Sequence, residues 1–140
     1  MEVNQNYVIL RFIDFDLDPD EITNKLGLKP LSIAKQGEDY YLGKSKVKKT
    51  WEFNHWDYEI KTETNNFIGE TITDFFKTII EPRLNKIKEI SSKSRITRLI
   101  VVQYYYTNCN PGYAFEKEQV KILSDINAEI DIDIYCLSED

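Results

Sequence analysis

A mixed β-sheet with helices packed on one face is the expected architecture of this 140-residue chain. In fold-class terms it is an α+β domain of ferredoxin-like (split βαβ) type. Three observations lead there. Hydrophobic periodicity switches between two and about 3.6 along the chain, giving the order β-α-β-β-α-β-α-β. The first six elements match the split βαβ plan. The last helix–strand pair extends the sheet by a right-handed crossover, parallel to the strand before it. A composition 41% hydrophobic and 30% charged suits one globular domain over residues 1–140.

Tyr7 to Phe15 reads as the first strand. Val8, Leu10 and Phe12 share one face; Tyr7, Ile9, Ile13 and Phe15 share the other, interrupted by Arg11. Apolar residues on both faces predict an interior strand, covered on both sides or by a neighbouring subunit. Asp18 is an N-cap and Pro19 the first residue of a helix to Leu26, where a missing N–H costs nothing. Glu21 is spaced to reach back to the cap's N–H. Ile22 and Leu26 form the helix's apolar face, and Gly27 is placed for a left-handed C-terminal cap. Pro30 returns the chain to extended geometry.

Leu31 to Asp39 predicts a weak second strand, followed by a loop carrying Lys44, Lys46, Lys48 and Lys49. Thr50 to Ile60 resumes extended structure. Its apolar parity switches between Trp51/Phe53 and Trp56/Tyr58/Ile60, which calls for a bulge or bend near Asn54-His55. A hairpin around the lysine loop is the economical arrangement. From Asn66 to Ile90 the apolar residues follow a 3.6 period, and Pro82 inside it predicts a kink or break. Ile96 to Tyr106 is the most hydrophobic strand, and Asn108 to Gly112 a loop. A helix from about Lys117 to Ile126 turns Val120, Leu123 and Ile126 to the core. In the last strand, Ala128 to Cys136, Ile130, Ile132, Ile134 and Cys136 face in; Glu129, Asp131, Asp133 and Tyr135 face out.

Net charge is −6 and the pI about 4.9, which disfavours nonspecific nucleic-acid or anionic-membrane binding. No apolar run is long enough to span a membrane, and no charged-then-apolar leader opens the chain. The two cysteines, Cys109 and Cys136, cannot complete a four-ligand zinc site with the single His55. A cytoplasmic protein with reduced thiols is the expectation.

Several residues taken together look like one bacterial family. They are Ile13-Asp14-Phe15, Pro19-Asp20-Glu21-Ile22-Thr23, Leu26-Gly27, Pro30, Gly37, Trp51 and Ile130-Asp131-Ile132-Asp133-Ile134-Tyr135. In these the chain resembles domain of unknown function 4279, from Tyr7 to Tyr135. One departure is that Leu31 stands before Ser32, where the family pattern sets a hydroxyl residue directly after the proline. The resemblance implies a compact, stand-alone bacterial domain and supplies no reaction or catalytic residue.

Candidate sites each carry a plainer reading. Asp14, Asp16 and Asp18 are spaced like the opening of a calcium loop, but Pro19 and Lys25 occupy its required glycine and glutamate positions. Capping explains these acids better. Asp131 and Asp133, about 7 Å apart on one strand face, could bind a metal or do acid–base work if a third ligand converged. Arg11 is their expected cross-strand partner, making them a structural ion network instead. His55 could activate Cys109 or Cys136, yet nothing fixes such a pair and a buried cysteine is commoner. The lysine loop lies between Tyr40-Tyr41 and Trp51, a combination that can track phosphates and stack bases; a solvated charged hairpin is the plainer reading. Tyr104-Tyr105-Tyr106 could form a contact surface, because aromatics supply interface anchors; they alternate on a strand, so at least one is core.

No catalytic residue, metal site or cofactor is therefore expected, and the chain is read as a non-enzyme. The leading expectation is a protein-binding module using Tyr40, Tyr41, Trp51, Asp131, Asp133 and Tyr135. One concrete form is an immunity-type inhibitor of a basic toxin domain, and a homodimer stays open. A small-ligand or nucleic-acid binder built on Trp51 and the lysine loop is the alternative. A carboxylate-dependent enzyme using Asp131 and Asp133 is the third.

Overall fold

The computed structural model describes residues 3–63, 67–106 and 112–137. The described chain is α+β, with a mixed five-stranded sheet. Its strands are β1 (Gln5–Phe15), β2 (Ser32–Ala34), β5 (His55–Glu63), β6 (Ser94–Tyr105) and β7 (Ala128–Cys136), in the order β2-β5-β1-β6-β7. β1 is antiparallel to β5 and β6, β2 is antiparallel to β5, and β7 is parallel to β6. β3 (Asp39–Leu42) and β4 (Val47–Thr50) form a separate antiparallel hairpin between β2 and β5.

The helices are α1 (Pro19–Leu26), α2 (Ile68–Phe75), α3 (Leu84–Ser92) and α4 (Lys117–Asp125). α1 forms where local chemistry dictates. Asp18 Oδ1 accepts from Asp20 N–H at 2.8 Å, Pro19 occupies the first turn, and Gly27 closes the helix at φ 65. Glu21 meets Asp18 through its backbone N–H, at 2.8 Å. The reciprocal capping box belongs to α4 instead, between Glu116 and Gln119.

Pro82 interrupts the long apolar helix as its chemistry requires. α2 passes into a π turn at Phe76–Ile80, then a 3₁₀ turn at Glu81–Arg83, before α3 begins. Proline has no N–H to offer the Thr78 carbonyl four residues back. Arg83 fills that gap: Nη1 donates to Thr78 O and Ile79 O at 3.2 Å, and Nε donates to the Leu26 carbonyl at 2.7 Å. One guanidinium thus satisfies the broken helix and ties it to the end of α1. Arg83→Met is expected to cost about 1–3 kcal/mol, because it leaves carbonyls unpaired; urea unfolding measures it.

One core lies between the sheet and the helices. Val8, Leu10, Phe12, Trp56, Leu99 and Val101 from the sheet join Ile22, Ile72, Phe75, Ile87, Ile90 and Leu123 from the helices. Each such burial contributes roughly 1.5–3 kcal/mol. A buried polar chain braces it. Thr97 Oγ1 donates to Ser91 Oγ at 2.6 Å, and Ser91 Oγ donates to the Ile126 carbonyl at 2.5 Å, joining β6, α3 and the end of α4.

Several expectations are corrected. Thr50–Ile60 is not one strand: β4 ends at Thr50 and β5 starts at His55, and the parity switch comes with a bend at Glu52-Phe53, not a bulge, that carries the chain from one sheet to the other. The second strand shrinks to Ser32–Ala34. β1 is central, and its second face is covered in part within the chain: Tyr7 and Ile9 are half-buried, while Ile13 is buried. Phe15 leaves that face for the core, because Asp14 at φ 61 rotates the strand end. Ile130, Ile132 and Ile134 share the parity of core Leu99 and Val101, yet stay 43%, 41% and 41% exposed, since no described strand lies beyond β7. Cys136 is exposed for the same reason, and Val120 on α4 is also exposed. Cys109 and residues 108–111 of the expected loop lie outside the described residues. No helix among the described residues is long and apolar enough to cross a membrane.

Candidate functional site

Side chains alternate across a strand, so packing Val8, Leu10 and Phe12 against the helices sends Tyr7, Ile9 and Arg11 to the other side. The strand register extends this second face across four strands. One row runs Asp57, Arg11, Arg98, Glu129 from β5 to β7. The next runs Glu59, Ile9, Ile100, Asp131, and a third Lys61, Tyr7, Val102, Asp133. Gln5, Tyr104 and Tyr135 follow. No helix residue of the core cluster lies on this face.

The first row is locked by ion pairs. Arg11 donates through Nε and Nη2 to the two Asp57 carboxylate oxygens, at 2.8 and 2.9 Å. Arg98 Nη2 lies 3.0 Å from Glu129. The middle rows behave differently. Half-buried Ile9 and Val102, with Ile100 buried beside them at 6% exposed, form an apolar centre flanked by Glu59, Asp131 and Asp133, none of which makes an ion pair among the described residues. Burial beside this centre raises the Glu59 pKa, while Lys61 pulls it back. A neighbouring cation would favour its charged form. Gln5, Tyr7, Ile9, Glu59, Val102 and Tyr104 line an open depression of about 470 Å³.

An aromatic ladder crosses the same face. Tyr135 stacks on Tyr104 at 4.8 Å, Tyr104 meets Tyr7 edge-on at 6.0 Å, and the Lys61 ammonium sits 5.6 Å from the Tyr7 ring centre. Apolar ground, aromatic anchors and acids outside any ion pair among the described residues together make a surface suited to a cationic, partly apolar partner.

A family model described as Domain of unknown function (DUF4279) matches residues 3–137. The chain belongs to that family. No curated protein and no solved structure matches it.

In this DUF4279 domain the six residues singled out in the sequence fall into two groups. Asp131, Asp133 and Tyr135 lie together on β7, on the helix-free face. Tyr40, Tyr41 and Trp51 belong to the hairpin, which meets the sheet at His55 on β5, with β1 and β6 between it and β7. Tyr40 stacks on Trp51 at 4.4 Å and His55 lies 5.1 Å from the same ring, so Trp51 is occupied by its neighbours. Tyr41 projects outward, 64% exposed. Lys48 pairs with Asp39 at 3.3 Å.

Arg11 does not pair with Asp131 or Asp133 as expected. Asp57, directly opposite on β5, takes both its donors, and Asp131 acts on it only at longer range. Asp14 pairs with Arg95 at 2.9 Å, and Asp18 caps α1. Among the described residues, no group of three or more His, Cys, Asp or Glu is placed to hold a metal. Tyr104 falls on this face as one of the three tyrosines weighed as a contact surface, whereas Tyr7, Ile9 and Val102 were missed as site residues. Their strands were visible, but which residues stand side by side depends on register.

His55 gives the DUF4279 domain a pH signature. Desolvation lowers its pKa below the ordinary 6.5, against the pull of Asp57. The unfolded chain therefore binds the proton more readily, and stability falls as pH drops through about 6.5. His55→Gln is expected to shrink the loss of urea midpoint between pH 7.5 and 5.5; an unchanged slope would contradict this assignment.

Proposed function

We propose that this domain is a non-catalytic protein-binding module that receives a basic partner on the helix-free face of its sheet, beside β7. The observation that carries this reading is the apolar centre of half-buried Ile9 and Val102, edged by Glu59, Asp131 and Asp133, none of them in an ion pair among the described residues. A net charge of −6 adds long-range attraction for a cationic protein. An immunity-type inhibitor of a basic toxin domain is the concrete form we favour, acting in the reducing cytoplasm, where an exposed Cys136 thiol is tolerated.

We read the sheet as an elaborated split βαβ plan. β1, β2, β5 and β6 take the spatial order β2-β5-β1-β6, the β3–β4 hairpin is an insertion, and α4–β7 is an addition at the edge.

The test is photo-cross-linking in the native host, with benzoylphenylalanine replacing Val102 at the centre of the face or Lys88 on exposed α3. A discrete protein adduct is expected from position 102 and not from position 88. Asp131→Lys with Asp133→Lys is expected to weaken capture about tenfold, or roughly 1.4 kcal/mol. Equal adducts at both positions, or capture indifferent to the charge reversal, would remove this reading.

A further inference from the structure

The free edge of β7 carries information that the face alone does not. Leu137 N–H donates to the Tyr105 carbonyl at 2.9 Å, across a parallel ladder that pairs β6 with β7 residue by residue. A strand residue turns its N–H and C=O to the same side, and that side alternates along the chain. Residues of Leu137's parity, namely Glu129, Asp131, Asp133 and Tyr135, therefore bond to β6. The backbone groups of Ile130, Ile132 and Ile134 point away from the sheet, where no described strand lies.

The side chains of this edge are sorted as well. On the helix-free side stand Glu129, Asp131 and Asp133. On the helix side stand Ile130, Ile132 and Ile134, each more than two-fifths exposed. Beside them, Val120, Leu123, Ala128 and Ile130 help line a groove of about 470 Å³ between α4 and the start of β7. Such an edge presents main-chain donors and acceptors, one acidic rail and one apolar rail.

We infer that the partner adds a strand to β7, and that this strand alternates basic with apolar residues. The inference rests on the docking reading above and names its mode. Lysine or arginine of the incoming strand stands opposite Asp131 and Asp133, Glu129 staying with Arg98, and the strand's apolar residues cover Ile130, Ile132 and Ile134. Main-chain bonds hold the strand, and the two rails fix its register and identity. A second copy of this chain fits poorly. Antiparallel pairing of two β7 strands with both helix layers on one side opposes the acidic rails; placing Asp131 against Asp133 does so twice. Like charges directly opposite are destabilising.

The experiment titrates the full-length, isotope-labelled chain with a capped nine-residue peptide alternating lysine and valine. Its control is an isomer of the same composition with the lysines in one block. The alternating peptide is expected to slow amide exchange at Ile130, Ile132 and Ile134 about tenfold, and the isomer is not. Ile132→Pro removes an outward N–H that bonds no described strand, so it should keep the native circular dichroism and lose the peptide. Ile132→Val should keep both. Equal binding of the two peptides without protection at β7, or no binding at millimolar peptide, overturns strand addition while leaving the cross-linking result to decide docking. A dimer in sedimentation that Ile132→Pro dissolves overturns the assignment in favour of a second copy.

Discussion

Trp56→Ala is expected to remove about 3–5 kcal/mol, a large part of the 5–15 kcal/mol typical of a whole domain. Trp56 is fully buried, directly opposite Phe12 on β1 and Ile33 on β2, with its ring 5.8 Å from that of Phe12. Its Nε1–H donates to Thr23 Oγ1 at 3.0 Å, so the same side chain pins α1 to the sheet. Alanine therefore leaves a cavity at the junction of three strands and a helix, and an unpaired Thr23 hydroxyl. Trp56→Phe keeps most of the volume and is expected to cost less, about 1–2 kcal/mol. Urea unfolding followed by circular dichroism separates the two. Equal costs would show that the indole hydrogen bond, and not packing, dominates.

Asp57→Ala is expected to cost about 2–3 kcal/mol, the second largest loss. Asp57 is buried and holds Arg11 by two hydrogen bonds, with Ser32 Oγ a weaker third donor at 3.4 Å. Removing it leaves the Arg11 guanidinium opposite Arg98 without its carboxylate. The Arg11 side chain is 31% exposed, so water recovers part of the loss. The double variant Arg11→Met with Asp57→Leu is expected to return most of it, because the desolvation cost of both charges disappears together. A double variant as unstable as the sum of the two singles would mean that the pair is not a unit.

Much of the fold was legible because it is written locally. Asp18, Pro19 and Gly27 bound α1 within a few residues, and Pro82 announced the helix break by lacking a donor. Alternation marked β7 from Ala128 to Cys136. What stayed hidden depends on neighbours distant in sequence. Ile130, Ile132 and Ile134 alternate like core residues whether or not another strand covers them. The parity switch near His55 has two solutions, a bulge or a bend, and periodicity neither chooses between them nor shows that the bend carries the chain into another sheet. Arg11 had acidic candidates on several strands, and only register put Asp57 opposite it. The candidate face was half visible for the same reason: Asp131, Asp133 and Tyr135 stood out on one strand. Tyr104 stood among three tyrosines of which pairing singled it out, and Tyr7, Ile9 and Val102 joined them through pairing alone.

Amide chemical shifts of the labelled native chain, titrated without cross-linking with the partner that capture at position 102 identifies, test the docking face most directly. Shifts should concentrate on Ile9, Ile100, Val102, Tyr104 and β7, and should fade as salt rises. Shifts centred on the Tyr40–Trp51 hairpin or on the helices, with β7 silent, would contradict it.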